Sequence, residues 1–524
     1  MVDLSQAPGF PPNFSHQIGE FSRVYADCEN EPMADSYSEF VQKVRRYKPS
    51  QLIPAIAQLS SSRPLIQTSN DEWKQATPWA LAAMARESIL YGNEFRPNSV
   101  NTTTIDELFD AFGQVSASQA EPTLNTILTP LAHEQFPHQE SVFEEIARSQ
   151  ALFGQSVPSI DPFPWEEVIG LPLDAAIGAS LMIASLASAH GGRFETSWLQ
   201  QDGLDELFDR FVPKRYVEAT ASLLTGTPSA ARHALPPGGI PWSQRRFAFN
   251  PLWTKPLVDL GSAGTWTPLP TAIPRAITPA NLYYAGMKST QSGFAEDLGT
   301  RVEAYVGRQL RSARGLQVYP EVVFDSREGE QKSADWFLIA DEAVVVIEVK
   351  SARMTLAAKA AGPAQQTIVE RSITHGRDQI DKTARLIRAG HDAFQHIPND
   401  RRIIGLVVTA EPFYLANSRL PEYGPHREVP TLVASLREIE HMVAVPPSNE
   451  IVPALLEIID DPEQSTWALS TSLQRRFPAA KRNKVLDEAW AQFSWLGPSF
   501  WANTGAIPPV RNVVRPDETH LLIN

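Results

Sequence analysis

Three charged residues, Asp335, Glu348 and Lys350, stand where a buried hairpin should carry none. The run Ala343-Val344-Val345-Val346-Ile347-Glu348-Val349-Lys350 is β-branched and almost continuously apolar up to its end, as expected of a central strand covered on both faces. Side chains alternate along a strand, so residues two apart share a face, and Glu348 and Lys350 project together from one end. Ser333-Ala334-Asp335-Trp336-Phe337-Leu338-Ile339 reads as the preceding strand, and the turn Ala340-Asp341-Glu342 brings Asp335 to the same edge. Charges in such a place are costly unless they pair with one another or bind a metal. A buried salt bridge between Lys350 and an acid is the purely structural reading, and a site for a hard divalent cation is the chemical one.

The elements that must position these groups are legible on either side. Upstream, Phe294, Leu298, Val302, Val306 and Leu310 form a stripe at helical spacing, with Glu303 beside it. Downstream, Thr367 to Arg388 reads as a second helix and Ile403-Ile404-Gly405-Leu406-Val407-Val408-Thr409 as another buried strand. An Asp followed by Glu-x-Lys on adjacent strands, behind an acid-bearing helix, resembles the core of the PD-(D/E)xK nuclease superfamily. The strict pattern of that family has a proline before the first acid, where this chain has Ala334. The resemblance implies an α/β restriction-endonuclease-like core, a mixed sheet flanked by helices, and a metal-dependent endonuclease that hydrolyses phosphodiester bonds. It implies Asp335, Glu348 and the backbone carbonyl of Val349 as ligands of magnesium or manganese, with Glu303 reaching the metal through water. Glu296, two turns earlier, is the alternative to Glu303. Gln379 and Lys382 lie on the second helix, where some relatives place auxiliary polar residues that face the site. Hard oxygen ligands suit magnesium or manganese, and such an ion both neutralises charge on phosphorus and supplies hydroxide near neutral pH. Lys350, a cation beside two carboxylates, suits orienting the attacking water or stabilising developing charge better than acting as a base.

Net charge is -14, which looks wrong for a protein that grips nucleic acid. The distribution softens the objection: residues 285–410 hold 17 Lys or Arg against 16 Asp or Glu, a balance of +1 that leaves -15 elsewhere. Arg301, Arg308, Arg311 and Arg314 recur along or just after the first helix, and Arg371, Arg377, Lys382, Arg385 and Arg388 along the second. Such rows contact phosphates or simply face water. Nucleic acid, with DNA favoured, is the expected partner, together with a regulatory protein or a second copy of the chain.

At 524 residues the chain has room for about three domains. Residues 1–235 read as a mainly helical region with a regulatory or docking role, with helices at Pro78–Tyr91, Ile105–Phe112 and Leu204–Phe211. Residues 236–284 read as a Pro/Gly-rich linker and a small β element whose Phe249, Trp253 and Trp266 could stack on bases but are expected rather to pack beneath the nuclease core. Residues 285–446 would be the nuclease domain, completed by Val429–Val433 and a helix from Leu436 to Val443, and 447–524 a helical C-terminal region with helices at Ile451–Ile459 and Lys484–Trp495. His133-Glu134 begins like a zinc-protease helix, but the second histidine falls one place late at His138 and Pro137 breaks the helix. One cysteine, Cys28, excludes an internal disulfide. The start Met1-Val2-Asp3-Leu4 has no signal-peptide character, and the apolar run Ala175–Ala189 is too short to cross a bilayer, so a cytoplasmic protein without a membrane partner is expected. The alternative function is a catalytically silent nuclease-like module that binds nucleic acid or protein. An analogy alone suggests bacterial defence or DNA maintenance.

Overall fold

The computed structural model describes residues 34–62, 77–101, 103–115, 124–154, 160–201, 208, 211–235, 245–290, 292–326, 329–359, 363–418, 428–479 and 481–496. Cys28, nearly all of the expected linker Leu235–Pro241 and most of the expected helix Leu204–Phe211 lie outside these residues.

The strands are β1 (Thr225–Gly226), β2 (Leu257–Asp259), β3 (Thr265–Trp266), β4 (Gln317–Pro320), β5 (Val323–Ser326), β6 (Gly329–Lys332), β7 (Trp336–Ile339), β8 (Ala343–Lys350), β9 (Arg402–Thr409) and β10 (Thr431–Ser435). The main sheet is mixed, in the order β10-β9-β8-β7-β4. Strands β8, β9 and β10 run parallel, while β7 is antiparallel to both β8 and β4. β8 lies at the centre and is buried from Ala343 to Glu348, which is why its sequence is continuously apolar rather than alternating. β2 and β3 fall within the small β element anticipated before the core, and β1, from the region ahead of it, pairs with β2 to complete a three-stranded sheet.

Helices cover both faces of the main sheet. On one face the helix Ser292–Ser312 buries Phe294, Leu298, Val302, Val306 and Leu310 against Trp336, Leu338, Val345 and Ile347. On the other, the helix His375–Arg388 sets Ile380, Ala384 and Ile387 against Phe337, Ile339, Val344 and Val346. That second helix begins earlier than its apolar pattern suggests: Pro363–Val369 leads into it through a wide π-helical turn at Glu370–Thr374. The protein is therefore a mixed α/β molecule with a helix-flanked sheet.

A close approach fixes the first helix on the sheet. A Cβ at Gly307 would run into the six-membered ring of Trp336, the residue after Asp335, and Trp336 Nε1 donates to the Glu303 carbonyl at 3.1 Å. Gly307→Ala is expected to destabilise the protein by ~1–3 kcal/mol through overpacking. An unchanged urea midpoint would show that the ring can move aside.

One hydrophobic core runs from Val142 to Leu496. The helices Val142–Phe153, Leu173–Ala189 and Lys214–Leu224 share it with the helix Ser292–Ser312, with β7–β10 and with Lys484–Trp490, so it spans the limits expected at 235, 284 and 446. A second core joins helices between Tyr37 and Phe112 to Leu252, Val258, Leu269 and Ala272. Trp253 and Trp266 pack on that second core, not beneath the sheet as the sequence suggested. Among the described residues no single helix is long and apolar enough to cross a membrane; the pair Leu436–Ala444 and Ser448–Asp460, bent by 120°, passes only by combined length and composition.

Candidate active site

The register of the hairpin brings the acids together. Trp336 pairs with Ile347, so continuing the ladder by one residue sets Asp335 opposite Glu348 on one face. That face also carries Phe337, Val344 and Val346, which pack on the helix His375–Arg388. Where the apolar packing ends, Asp335, Glu348 and Lys350 open into a cleft of about 640 Å³ between strand ends and helix. Gly376 faces Val407 and the Cγ of Glu348, and its lack of a side chain lets the helix close onto the strand there.

The three charged groups are tied to one another and to the backbone. Lys350 Nζ donates to Glu348 Oε1 at 2.6 Å, and Asp335 Oδ2 accepts from the Val349 amide at 2.6 Å. Glu348 is 5% exposed, and its second oxygen, Oε2, is buried with no hydrogen-bond partner. Burial, then the charge of Glu348, pushes the Asp335 carboxyl up to about 8. Burial also raises Glu348, against the opposing pull of Lys350. Both acids are held where their charged forms are disfavoured and one oxygen has nothing to bond, which is how a site made for a further cation behaves.

No family model, curated protein or solved structure matches the chain.

The remaining expected residues are placed differently from one another. Glu303 does not line the cleft but is near enough to be felt there: burial and then the charge of Glu321 raise it, and its own charge contributes to raising both Asp335 and Glu348. Glu296 is exposed on the same helix. Gln379 Nε2 donates to the carbonyls of Lys332 at 2.9 Å and Ser333 at 3.1 Å, so this side chain holds the segment that leads into Asp335. Lys382 lines the cleft and reaches Gln331 at 2.8 Å. The basic row expected on the first helix does not reach the cleft, because that helix lies on the opposite face of the sheet. Arg301 points inward, 1% exposed, onto Asp297 and the carbonyls of Leu152 and Asp161, and Arg311 lies over the Trp336 ring at 4.6 Å.

Sequence reasoning missed Glu321, Lys332, His375 and Asp378, all of which line the cleft. The last two carried a signal: His375, Asp378, Gln379 and Lys382 recur at helical spacing and form one polar face. Glu321 and Lys332, paired at 2.9 Å, flank the hairpin of β5 and β6, whose polar sequence gave no strand pattern.

Does a divalent metal fit? Among the described residues no group of three or more His, Cys, Asp or Glu side chains closes around a metal position. Magnesium needs fewer, since it keeps several waters and takes one or two carboxylates. The orphaned Oε2 of Glu348 and the crowded Asp335 would supply those two. Without metal, the raised Asp335 carboxyl contributes stability fully present below the ordinary Asp range and lost as pH rises through about 8. A bound cation reverses that trend but must displace the proton at lower pH. Magnesium is therefore expected to raise the melting midpoint more at pH 8.5 than at pH 6, and to lose this pH-dependent part in Asp335→Asn. An equal shift in the variant would place the ion elsewhere.

Proposed function

We propose that this chain is a magnesium- or manganese-dependent nuclease with a restriction-endonuclease-like core of the PD-(D/E)xK type, acting on nucleic acid with DNA favoured. The observation that carries the reading is the meeting of Asp335, Glu348 and Lys350 on one face at the mouth of a cleft, with a buried carboxylate oxygen left unpaired. Asp335 and Glu348 would hold the ion, with the Val349 carbonyl and water completing its shell. When bound, the ion supplies charge neutralisation at phosphorus and lowers the pKa of water. Lys350, anchored by Glu348, is placed to orient the attacking water or to stabilise charge that develops on the phosphate. Lys332, Lys382 and Arg385 line the same cleft and give the substrate backbone a cationic wall.

A second reading, a silent nuclease-like binding module, is favoured by one observation: Lys350 and Glu348 already form an ion pair that accounts for both side chains structurally. Cleavage of supercoiled plasmid, linear duplex and single strands, with magnesium, manganese or EDTA, separates the two. Metal-dependent cleavage of at least one substrate supports the enzyme. Binding without cleavage in every condition supports the module.

A further inference from the structure

A second cavity, of about 260 Å³, lies beside the segments that leave β8 and β9, just below the usual range of ligand cavities. It is walled on one side by helices before residue 160 and on the other by the helices and loops around the sheet. Most charges in its walls are matched. Arg246 pairs with Glu134, Arg275 with Glu145, Arg148 with Glu440, and Glu140 with Arg437. The exception is local: Arg353 and Lys359 share a single carboxylate, Glu411, with Lys359 as far as 4.0 Å away.

That corner also holds two buried nitrogens with no hydrogen-bond partner, Arg353 Nη1 and His133 Nε2. Burial and the nearby Lys359 hold His133 well below the ordinary histidine range, so it is a neutral ring able to donate one hydrogen bond. An excess positive charge with unsatisfied donors inside a cavity is unfavourable unless an anion completes it. Beside this corner the lining is aromatic: Tyr284 carries the Arg353 guanidinium at 5.5 Å, Tyr414 packs on His133 at 4.9 Å, and Trp253 and Phe249 complete the wall.

We infer that this cavity binds a small molecule joining a phosphate to a planar ring, a mononucleotide, with the phosphate on Arg353, Lys359 and His133 and the base among the aromatic side chains. The placement has a functional sense. Arg353 follows Lys350 by three residues on the segment leaving β8, and Glu411 follows Thr409 by two on the segment leaving β9, where Lys350 and Thr409 are partners in the ladder. A ligand that fixes Arg353 and Glu411 thus fixes the exit of β8, which carries Glu348 and Lys350 into the cleft, and that of its ladder partner β9.

The test is calorimetric titration of the full chain with adenosine, guanosine, cytidine and uridine monophosphates and with inorganic phosphate, in EDTA. The inference does not rest on nuclease activity, and the readout is binding alone. At least one nucleotide should bind more tightly than phosphate, and Lys359→Gln should weaken it by about tenfold or more, the loss of one charge-assisted contact. Lys382→Ala, on the cleft, should leave it unchanged. No binding at millimolar nucleotide, binding unaffected by Lys359→Gln, or binding lost only in Lys382→Ala would overturn the inference, the last by placing the nucleotide in the cleft. Phosphate binding as tightly as every nucleotide would overturn the assignment of the aromatic wall.

Discussion

Asp335→Asn is expected to abolish metal-dependent cleavage, by about 10³-fold or more, while leaving the fold intact. The substitution keeps the shape of the side chain and its acceptor for the Val349 amide, a bond of 2.6 Å in the parent, but removes the charge that a cation needs. It also removes a carboxyl that burial and Glu348 push up to about 8, so the metal-free variant should be no less stable than the parent at neutral pH. Loss of activity without loss of stability separates a functional acid from a structural one. Lys350→Ala tests the partner group: it should lose about 10²–10³-fold in rate, and it leaves Glu348 buried without its cation. Full activity in Asp335→Asn, measured on the substrate that the parent cleaves best, would sink the proposed site.

Glu440→Ala is expected to destabilise the molecule by about 3–5 kcal/mol. Glu440 is 3% exposed and takes both nitrogens of a bidentate Arg148 fork, at 2.6 and 2.7 Å, and the Tyr305 hydroxyl at 2.7 Å. Gln309 donates to the same hydroxyl, and Asn483 donates to Gln309 and to the Glu440 carbonyl. The network thereby joins the helices Val142–Phe153, Ser292–Ser312, Leu436–Ala444 and Lys484–Trp490. Removing the acid leaves the Arg148 guanidinium, 8% exposed, without its carboxylate. Replacing Arg148 as well should recover part of the loss, because the remaining cost is then the cavity rather than an unpaired charge. Urea unfolding of the two single variants and the double variant measures both terms. A loss below about 1 kcal/mol in Glu440→Ala would mean that water reaches the guanidinium.

The sheet was legible where burial imposed a pattern. β8 announced itself through Val344 to Ile347, and its polar end through Glu348 and Lys350, because a strand covered on both faces tolerates charge only at its mouth. The helix Pro78–Tyr91 begins and ends where its sequence says, with a proline at its first position and Gly92 just beyond its end. The hairpin of β5 and β6 was not legible, since only Phe324 among its residues is buried and nothing alternates. The inward turn of Arg301 was hidden for a different reason: its partners Leu152 and Asp161 come from far away in the chain, and an arginine on a helix reads as exposed. The same distance concealed the pairing of Arg148 with Glu440, which are separated by 292 positions. In the cleft, Asp335 just before β7 and Glu348 and Lys350 at the end of β8 were readable from strand alternation, whereas Glu321 and Lys332 depend on how a polar ribbon folds.

The core that runs from Val142 to Leu496 has an evolutionary consequence. A segment that closes its own interior can be lifted from one gene into another and still fold. Here the helix behind the sheet buries its first turn, at Phe294, among Phe153, Phe163 and Trp165. The stretch carrying Asp335 and Glu348 is thus not a portable cassette: moved without the helices ahead of it, it would bare the surface that they bury.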